Sequence, residues 1–184
     1  MIYLEQMTEA TEPFIIELYE ASFPESERKP FSMILDLRKK GKADLWVVHD
    51  EKTKQPIGMA FMLVQKDMVL FDYFAILKEY QDMGYGSLVL REVEKKYKGF
   101  CVFGEVEPVD ENAENYAQRK RRMAFYLRNG LKQTGIHILL FGVEFELMYL
   151  GDRPIDYPAY YRFQKGMFGP FKKKFLKKNV RRVC

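Results

Sequence analysis

The chain has 184 residues, 47% of them hydrophobic and 30% charged, with 15 Phe and 12 Tyr; this is enough for one core-bearing domain and excludes a disordered, collagen-like or low-complexity chain. Two cysteines, Cys101 and Cys184, exclude a disulfide framework or a cysteine-rich zinc site and point to a reducing cytoplasm, while the longest apolar runs, 57–64 and 136–143, are too short to cross a bilayer and Met1 is not followed by a signal-peptide pattern, so a soluble, cytoplasmic protein is expected. The net charge of +4 is uneven: residues 157–184 hold nine Lys or Arg and no acid, whereas the remainder carries 21 basic against 26 acidic residues, a balance of −5.

In chain order, residues 1–4 suit a short strand, and Phe14, Ile15, Leu18 and Tyr19 recur at helical spacing after Thr11 and Pro13. The segment 23–30 is a polar loop bracketed by Pro24 and Pro30. Ser32 is the expected N-cap of a second helix that carries Ile34, Leu35 and Leu37 and stops at Gly41, giving a helical hairpin. Residues 44–49, 57–64 and 69–76 read as an antiparallel meander, with turn chemistry at 50–56 and at Lys66-Asp67. From 86 to 97 the apolar residues Leu90, Val93 and Tyr97 predict a helix, and 100–106 after Gly99 a strand; strand, helix, strand implies a parallel crossover. A polar stretch over 108–114 leads to a helix over 115–129 ended by Gly130, and 131–150 supplies two strands with Gly142 between them. No internal repeat is visible.

The segment most informative for chemistry joins the strand end Phe74-Ala75-Ile76 to Gln81-Asp82-Met83-Gly84-Tyr85-Gly86-Ser87, where a helix begins at two closely spaced glycines. A helix start presents unpaired N–H groups and the positive end of its dipole, and glycine lets an anion such as a pyrophosphate approach the backbone. The segment lacks the Lys-Ser or Lys-Thr of a nucleotide-triphosphate loop and the three-glycine dinucleotide fingerprint. Paired glycines also shape tight turns, so the pattern alone leaves both readings open.

The spacing Gln81-x-x-Gly84-x-Gly86 after a strand resembles the acetyl-CoA pyrophosphate loop of the GNAT family of acyl-CoA-dependent N-acetyltransferases. Phe125-Tyr126-Leu127-Arg128-Asn129-Gly130-Leu131 is similar to a second family motif, an aromatic residue and Tyr on a helix followed by Gly-Phe at the next strand, with Leu131 in place of Phe. Residues 145–150 are similar to the family's late strand. The resemblance covers 1–150 and implies a single α/β domain with a mixed, mostly antiparallel central sheet flanked by helices and splayed at the fourth and fifth strands, where acetyl-CoA binds. Residues 151–184 are then a basic, aromatic C-terminal extension whose first part packs on the domain.

The resemblance further implies direct attack of an amine on acetyl-CoA. Phe74, Ala75 and Ile76 offer backbone groups to the pantetheine and thioester, and Gln81 to Ser87 hold the pyrophosphate. Tyr126 matches the position of the family's general acid, suited to the task because a phenol is protonated at neutral pH and can donate to the leaving thiolate. Glu105 matches a carboxylate on the fifth strand that can deprotonate the amine; Asp72 and Glu107 are read as exposed strand carboxylates. Arg119 and Arg122 depart from the family pattern and can either meet CoA phosphates or form a solvated face. His49 and His137 stand alone and neither cysteine lies in a nucleophile motif, so no metal and no covalent step is expected.

The acceptor amine would enter beside the loop 23–31, where Glu25 and Glu27 attract a cation, Phe23 and Phe31 flank it, and Arg28 and Lys29 nearly cancel the charge. A small amine, an amino sugar, a peptide N-terminus and a protein lysine all remain open, as does the oligomeric state. Lys172-Lys173-Lys174, Lys177-Lys178 and Arg181-Arg182, interleaved with Phe171, Phe175, Leu176 and Val180, can bind nucleic acid or an anionic membrane, though a solvated or self-docked tail is the commoner outcome. Two rivals stand beside the enzyme: an inactive acyl-CoA-binding regulatory module, and an adaptor that works through the basic tail.

Overall fold

The computed structural model describes residues 1–168 and 179–183. Its strands, β1 (Ile2–Gln6), β2 (Ala43–Asp50), β3 (Pro56–Gln65), β4 (Met68–Ile76), β5 (Cys101–Val106), β6 (Lys132–Leu140), β7 (Val143–Leu150) and β8 (Val180–Arg182), follow the hydrogen-bonded order β1-β2-β3-β4-β5-β7-β6-β8 in a mixed, mostly antiparallel sheet whose β4 and β5 are parallel, and helices flank it. The chain divides into two compact units, Met1–Val64 with Phe71–Tyr97, and Gln65–Leu70 with Lys98–Cys184.

In the first unit, β1 (Ile2–Gln6) pairs antiparallel with β2 (Ala43–Asp50), which pairs antiparallel with β3 (Pro56–Gln65). Strand alternation sends Leu45, Val47, Met59, Phe61, Tyr73 and Ala75 into one buried cluster with Ile15, Leu18 and Tyr19 of α1 (Glu12–Ser22) and Ile34 of α2 (Phe31–Lys39). The intervening residue Trp46 instead donates its indole N–H to the Tyr97 hydroxyl at 2.8 Å, at the end of α3 (Tyr85–Lys96). The amphipathic α3 buries Leu90 and Val93, and Tyr97 just beyond it, as its spacing predicted, together with Val89. The expected cap of α2 is corrected by the structure: Pro30, with φ −51°, is the cap, Ser32 sits inside the first turn, and no side-chain cap bond forms. Proline pre-sets the backbone angle of the helix entry, so the helix starts without a hydroxyl.

In the second unit the parallel register joins Met68, Val69 and Leu70 to Cys101, Val102 and Phe103. Beyond β5, α4 (Tyr116–Arg128) ends at Asn129 and Gly130, the latter at φ 88°, and leads into the antiparallel pair β6 (Lys132–Leu140) and β7 (Val143–Leu150). The pairing of β6 shifts between Gln133 and His137. There the Gly135 N–H and the Gln133 amide both donate to the buried Glu146 carboxylate, at 3.2 and 2.8 Å. Two further elements complete the unit: α5 (Tyr157–Phe168), and β8 (Val180–Arg182), which adds to the edge of β6. Arg181 and Arg182 lie on β8 and are exposed. The rest of the basic tail, Phe171 to Lys178, falls outside the described residues.

Candidate functional site

The first unit builds the glycine loop from below. Gly58 on β3 lies directly against the end of β4: a Cβ there would stand 2.6 Å from the Ala75 carbonyl oxygen and 2.6 Å from Ile76 Cδ1. The Leu77 N–H donates to the Ile57 carbonyl at 2.9 Å and closes the strand. A 3-10 turn over Lys78–Tyr80 follows, and the Gln81 side-chain amide reaches back to donate to the Ile76 carbonyl at 2.9 Å. The end of β4, Phe74 to Ile76, is thereby tied to the loop that runs through Gln81, Asp82, Met83, Gly84, Tyr85, Gly86 and Ser87.

Gly84 caps α3 in the left-handed conformation, φ 83°, and Asp82 also has positive φ, 60°. The Ser87 and Leu88 N–H groups return to the Gly84 carbonyl at 3.1 and 3.3 Å, while helix geometry leaves the Tyr85 and Gly86 N–H groups without intrahelical acceptors. The first turn of α3 carries no acidic side chain. Its backbone charge therefore favours an anion at the loop.

Sequence reasoning missed what anchors this loop. The Tyr85 hydroxyl donates to Oδ2 of Asp50 at 2.8 Å, and Oδ1 of Asp50 accepts from the N–H groups of Lys52 and Thr53 at 2.9 and 2.8 Å and from the Thr53 hydroxyl at 3.2 Å. These donors, the Thr53 N–H foremost, hold the Asp50 carboxyl down to about 2, and the acceptor in turn pushes the Tyr85 phenol up. The Tyr80 and Tyr85 rings meet edge to face, 5.7 Å between centroids. An Asp at a tight turn was a visible turn signal; its long-range partner was not.

The loop between α1 and α2 is fixed to β4 within the same unit. The Tyr73 hydroxyl donates to the Glu27 carbonyl at 2.7 Å and accepts the Lys29 N–H at 3.1 Å, and the Tyr19 hydroxyl donates to the Lys29 carbonyl at 3.1 Å. Burial pushes the Tyr73 phenol up to about 12, so it is a donor at neutral pH. The Lys29 ammonium meets both Asp72 oxygens, at 2.8 and 2.9 Å. Asp72 is thus not the exposed carboxylate expected: its side chain is 9% exposed and paired.

In the second unit, Tyr126 sits half-buried on α4, where burial pushes its phenol up and the Arg122 charge partly offsets the effect. Its carbonyl accepts from the Leu131 N–H at 3.1 Å, which fixes the turn into β6. Glu107 is likewise not an exposed carboxylate; Arg119 and Arg122 close on it at 2.8 and 3.0 Å. Arg119 also donates to Asn115 Oδ1 at 2.6 Å. Glu105 on β5 accepts at Oε1 from the Tyr160 hydroxyl at 2.6 Å and from the Gln164 amide at 2.9 Å, both on α5. Tyr160 and Phe163 are fully buried and pack edge to face on Phe103. Burial pushes the Cys101 thiol up to about 11, which leaves it a neutral core residue.

Among the described residues, no group of three or more His, Cys, Asp or Glu could hold a metal ion, and no helix is long and apolar enough to cross a membrane. A family model described as an acetyltransferase (GNAT) domain matches residues 41–133, the span from the end of α2 to the start of β6. No curated protein matches the chain. Among solved structures, a GNAT-family protein from Bacteroides thetaiotaomicron is similar at a TM-score of 0.71 and 22% identity, over 89% of this chain and 94% of that one. An aminoglycoside 6'-N-acetyltransferase complexed with coenzyme A follows at 0.62 and 12%, over 83% and 99%. A Bacillus subtilis acetyltransferase in complex with CoA is similar at 0.60 and 12%, over 83% and 100%. At these identities the likeness is one of fold.

Proposed function

The chain belongs to the GNAT acetyltransferase family, and we propose that it moves an acetyl group from acetyl-CoA to a primary amine by direct attack in a ternary complex. The observation that carries this reading is the start of α3: Gly84 in the left-handed conformation, two N–H groups without helical acceptors, and Tyr85 pinned by Asp50. Preorganised donors of this kind suit a pyrophosphate, since no reordering accompanies its arrival. With Arg119 and Arg122 paired to Glu107, the reading assigns the donor's pyrophosphate to the loop 81–87 rather than to those guanidinium groups.

The chemical step needs three things from the chain. Backbone groups of Phe74, Ala75 and Ile76 line the pantetheine and polarise the thioester; Glu105 takes the proton of the incoming ammonium, directly or through water; Tyr126 gives its proton to the departing CoA thiolate. The nitrogen lone pair forms the new amide bond as the carbon–sulfur bond breaks. A phenol is protonated at neutral pH, which suits Tyr126 to the acid role. We place the reaction in the cytoplasm on the chain's cysteine usage.

A second reading, a donor-binding module without turnover, is favoured by one observation: Oε1 of Glu105 already accepts from Tyr160 and Gln164. The two are separated by thiol release. Incubation with acetyl-CoA and a panel of primary amines yields free CoA from an enzyme, with loss of the rate in Tyr126→Phe; a module binds acetyl-CoA and releases none with any amine.

A further inference from the structure

Lysine contributes a primary alkylammonium at the end of an unbranched chain, and in this protein one such group is held at a built site. The Lys29 ammonium donates to both oxygens of Asp72, at 2.8 and 2.9 Å, and lies 4.8 Å from the centroid of the Tyr73 ring. Asp72 is 9% exposed at its side chain, whereas Lys29 is 33% exposed, so the cation reaches a sheltered carboxylate from the solvent side. The ring is itself fixed: Phe23 and Tyr19 each pack edge to face on Tyr73 at 4.9 Å between centroids. Carboxylate and aromatic face together recognise an ammonium that carries N–H donors.

The main chain of Lys29 is held independently of its side chain. Its N–H donates to the Tyr73 hydroxyl and its carbonyl accepts from the Tyr19 hydroxyl, both at 3.1 Å. These two bonds anchor the loop to both rings through the main chain and not through the ammonium. A carboxylate so sheltered is costly to leave unpaired and would take another cation of the same shape.

We propose that Asp72 and Tyr73 form a binding site for an unbranched primary alkylammonium, that Lys29 fills this site intramolecularly in the free protein, and that an acceptor of this class displaces it. The acceptor role rests on the N-acetyltransfer reading; the ammonium site does not. The acceptors favoured are those that end in a straight aliphatic chain bearing –NH3⁺, and Lys29 sets the preference because a ligand must compete with it.

The site is tested in the full chain with Lys29→Ala, titrated with n-propylammonium chloride and followed by thermal unfolding. The expected result is a destabilised variant whose midpoint rises saturably with n-propylammonium by a few degrees, but not with n-propanol, sodium chloride or propyltrimethylammonium, which has no N–H to give. Wild type, in which the ligand must first displace Lys29, should respond only at much higher n-propylammonium, and Lys29→Ala/Asp72→Asn should not respond. Should Lys29→Ala fail to fold alone, its refolding yield is read with the same compounds, and rescue by n-propylammonium alone is expected. Indifference of Lys29→Ala, or an equal response from the double variant or to propyltrimethylammonium, overturns the proposal. The titration needs no acetyl-CoA, so its failure removes the acceptor site and leaves the donor reading standing, while a failed acetyl-CoA titration does the reverse.

Discussion

The Tyr85 hydroxyl donates to Asp50 at 2.8 Å and so ties the first residue of α3 to the turn that joins β2 and β3. The same carboxylate organises that turn through the Lys52 and Thr53 N–H groups. One buried acid thus sets both a turn and the helix start that faces the proposed donor site.

This arrangement makes a pH prediction with a definite sign. Asp50 has a folded value of about 2, below that of the unfolded chain, so its contribution to stability is full above about pH 4 and is lost as pH falls toward 2. Asp50→Asn should be less stable than wild type at neutral pH, and the gap should close across that acid window. Urea unfolding from pH 7 to pH 2 measures it. A gap that stays constant with pH would remove the linkage.

Gly58 is predicted to be intolerant of even one methyl group. The obstacle to a Cβ is the Ala75 backbone carbonyl at 2.6 Å as well as the Ile76 side chain, so the strand itself must move. Gly58→Ala should cost about 1–3 kcal/mol and also weaken acetyl-CoA binding, since the displaced residues are those assigned to the pantetheine. Gly104→Ala, where a Cβ meets nothing within 4 Å, is the matched control and should leave donor affinity unchanged.

Tyr126→Phe removes a phenol and little else. The expected outcome is a loss of about 100-fold in the rate of thiol release with acetyl-CoA affinity kept, the pattern of a group that acts in the transition state. Equal loss of affinity would mark a packing role.

Tyr160→Phe should destabilise the protein by about 1.5–3 kcal/mol, because a fully buried hydroxyl donates to the Glu105 carboxylate at 2.6 Å. Guanidinium unfolding of the variant checks this. A change within error would mean that the bond is readily replaced by water.

Much of this molecule was legible in the sequence where local chemistry decides structure. The strand-like segments 44–49, 57–64 and 69–76 became β2, β3 and β4, and the two glycines at 84 and 86 marked the start of α3. Other features arise only when distant segments meet. Lys29 and Asp72 are 43 residues apart, and in the sequence Lys29 counted merely as a charge that cancels its neighbours. Gly58 gave no sign of its close approach to Ala75, and Asp50 none of Tyr85. The helix α5 was hidden by Pro158 and Gly166, which interrupt its pattern, and is held by burial of Tyr160 and Phe163. The three residues of β8 are too few to carry a period; the edge of β6 makes them a strand.

The central claim is that the loop 81–87 binds the pyrophosphate of acetyl-CoA. Isothermal titration of the full chain with acetyl-CoA, with desulfo-CoA and NADH as controls, tests it most directly when wild type is compared with Gly86→Asp, whose carboxylate would stand at the anion's position. CoA-selective binding in wild type that is lost in a folded Gly86→Asp variant is the predicted result. No binding in wild type, or equal affinity in both proteins, would contradict it.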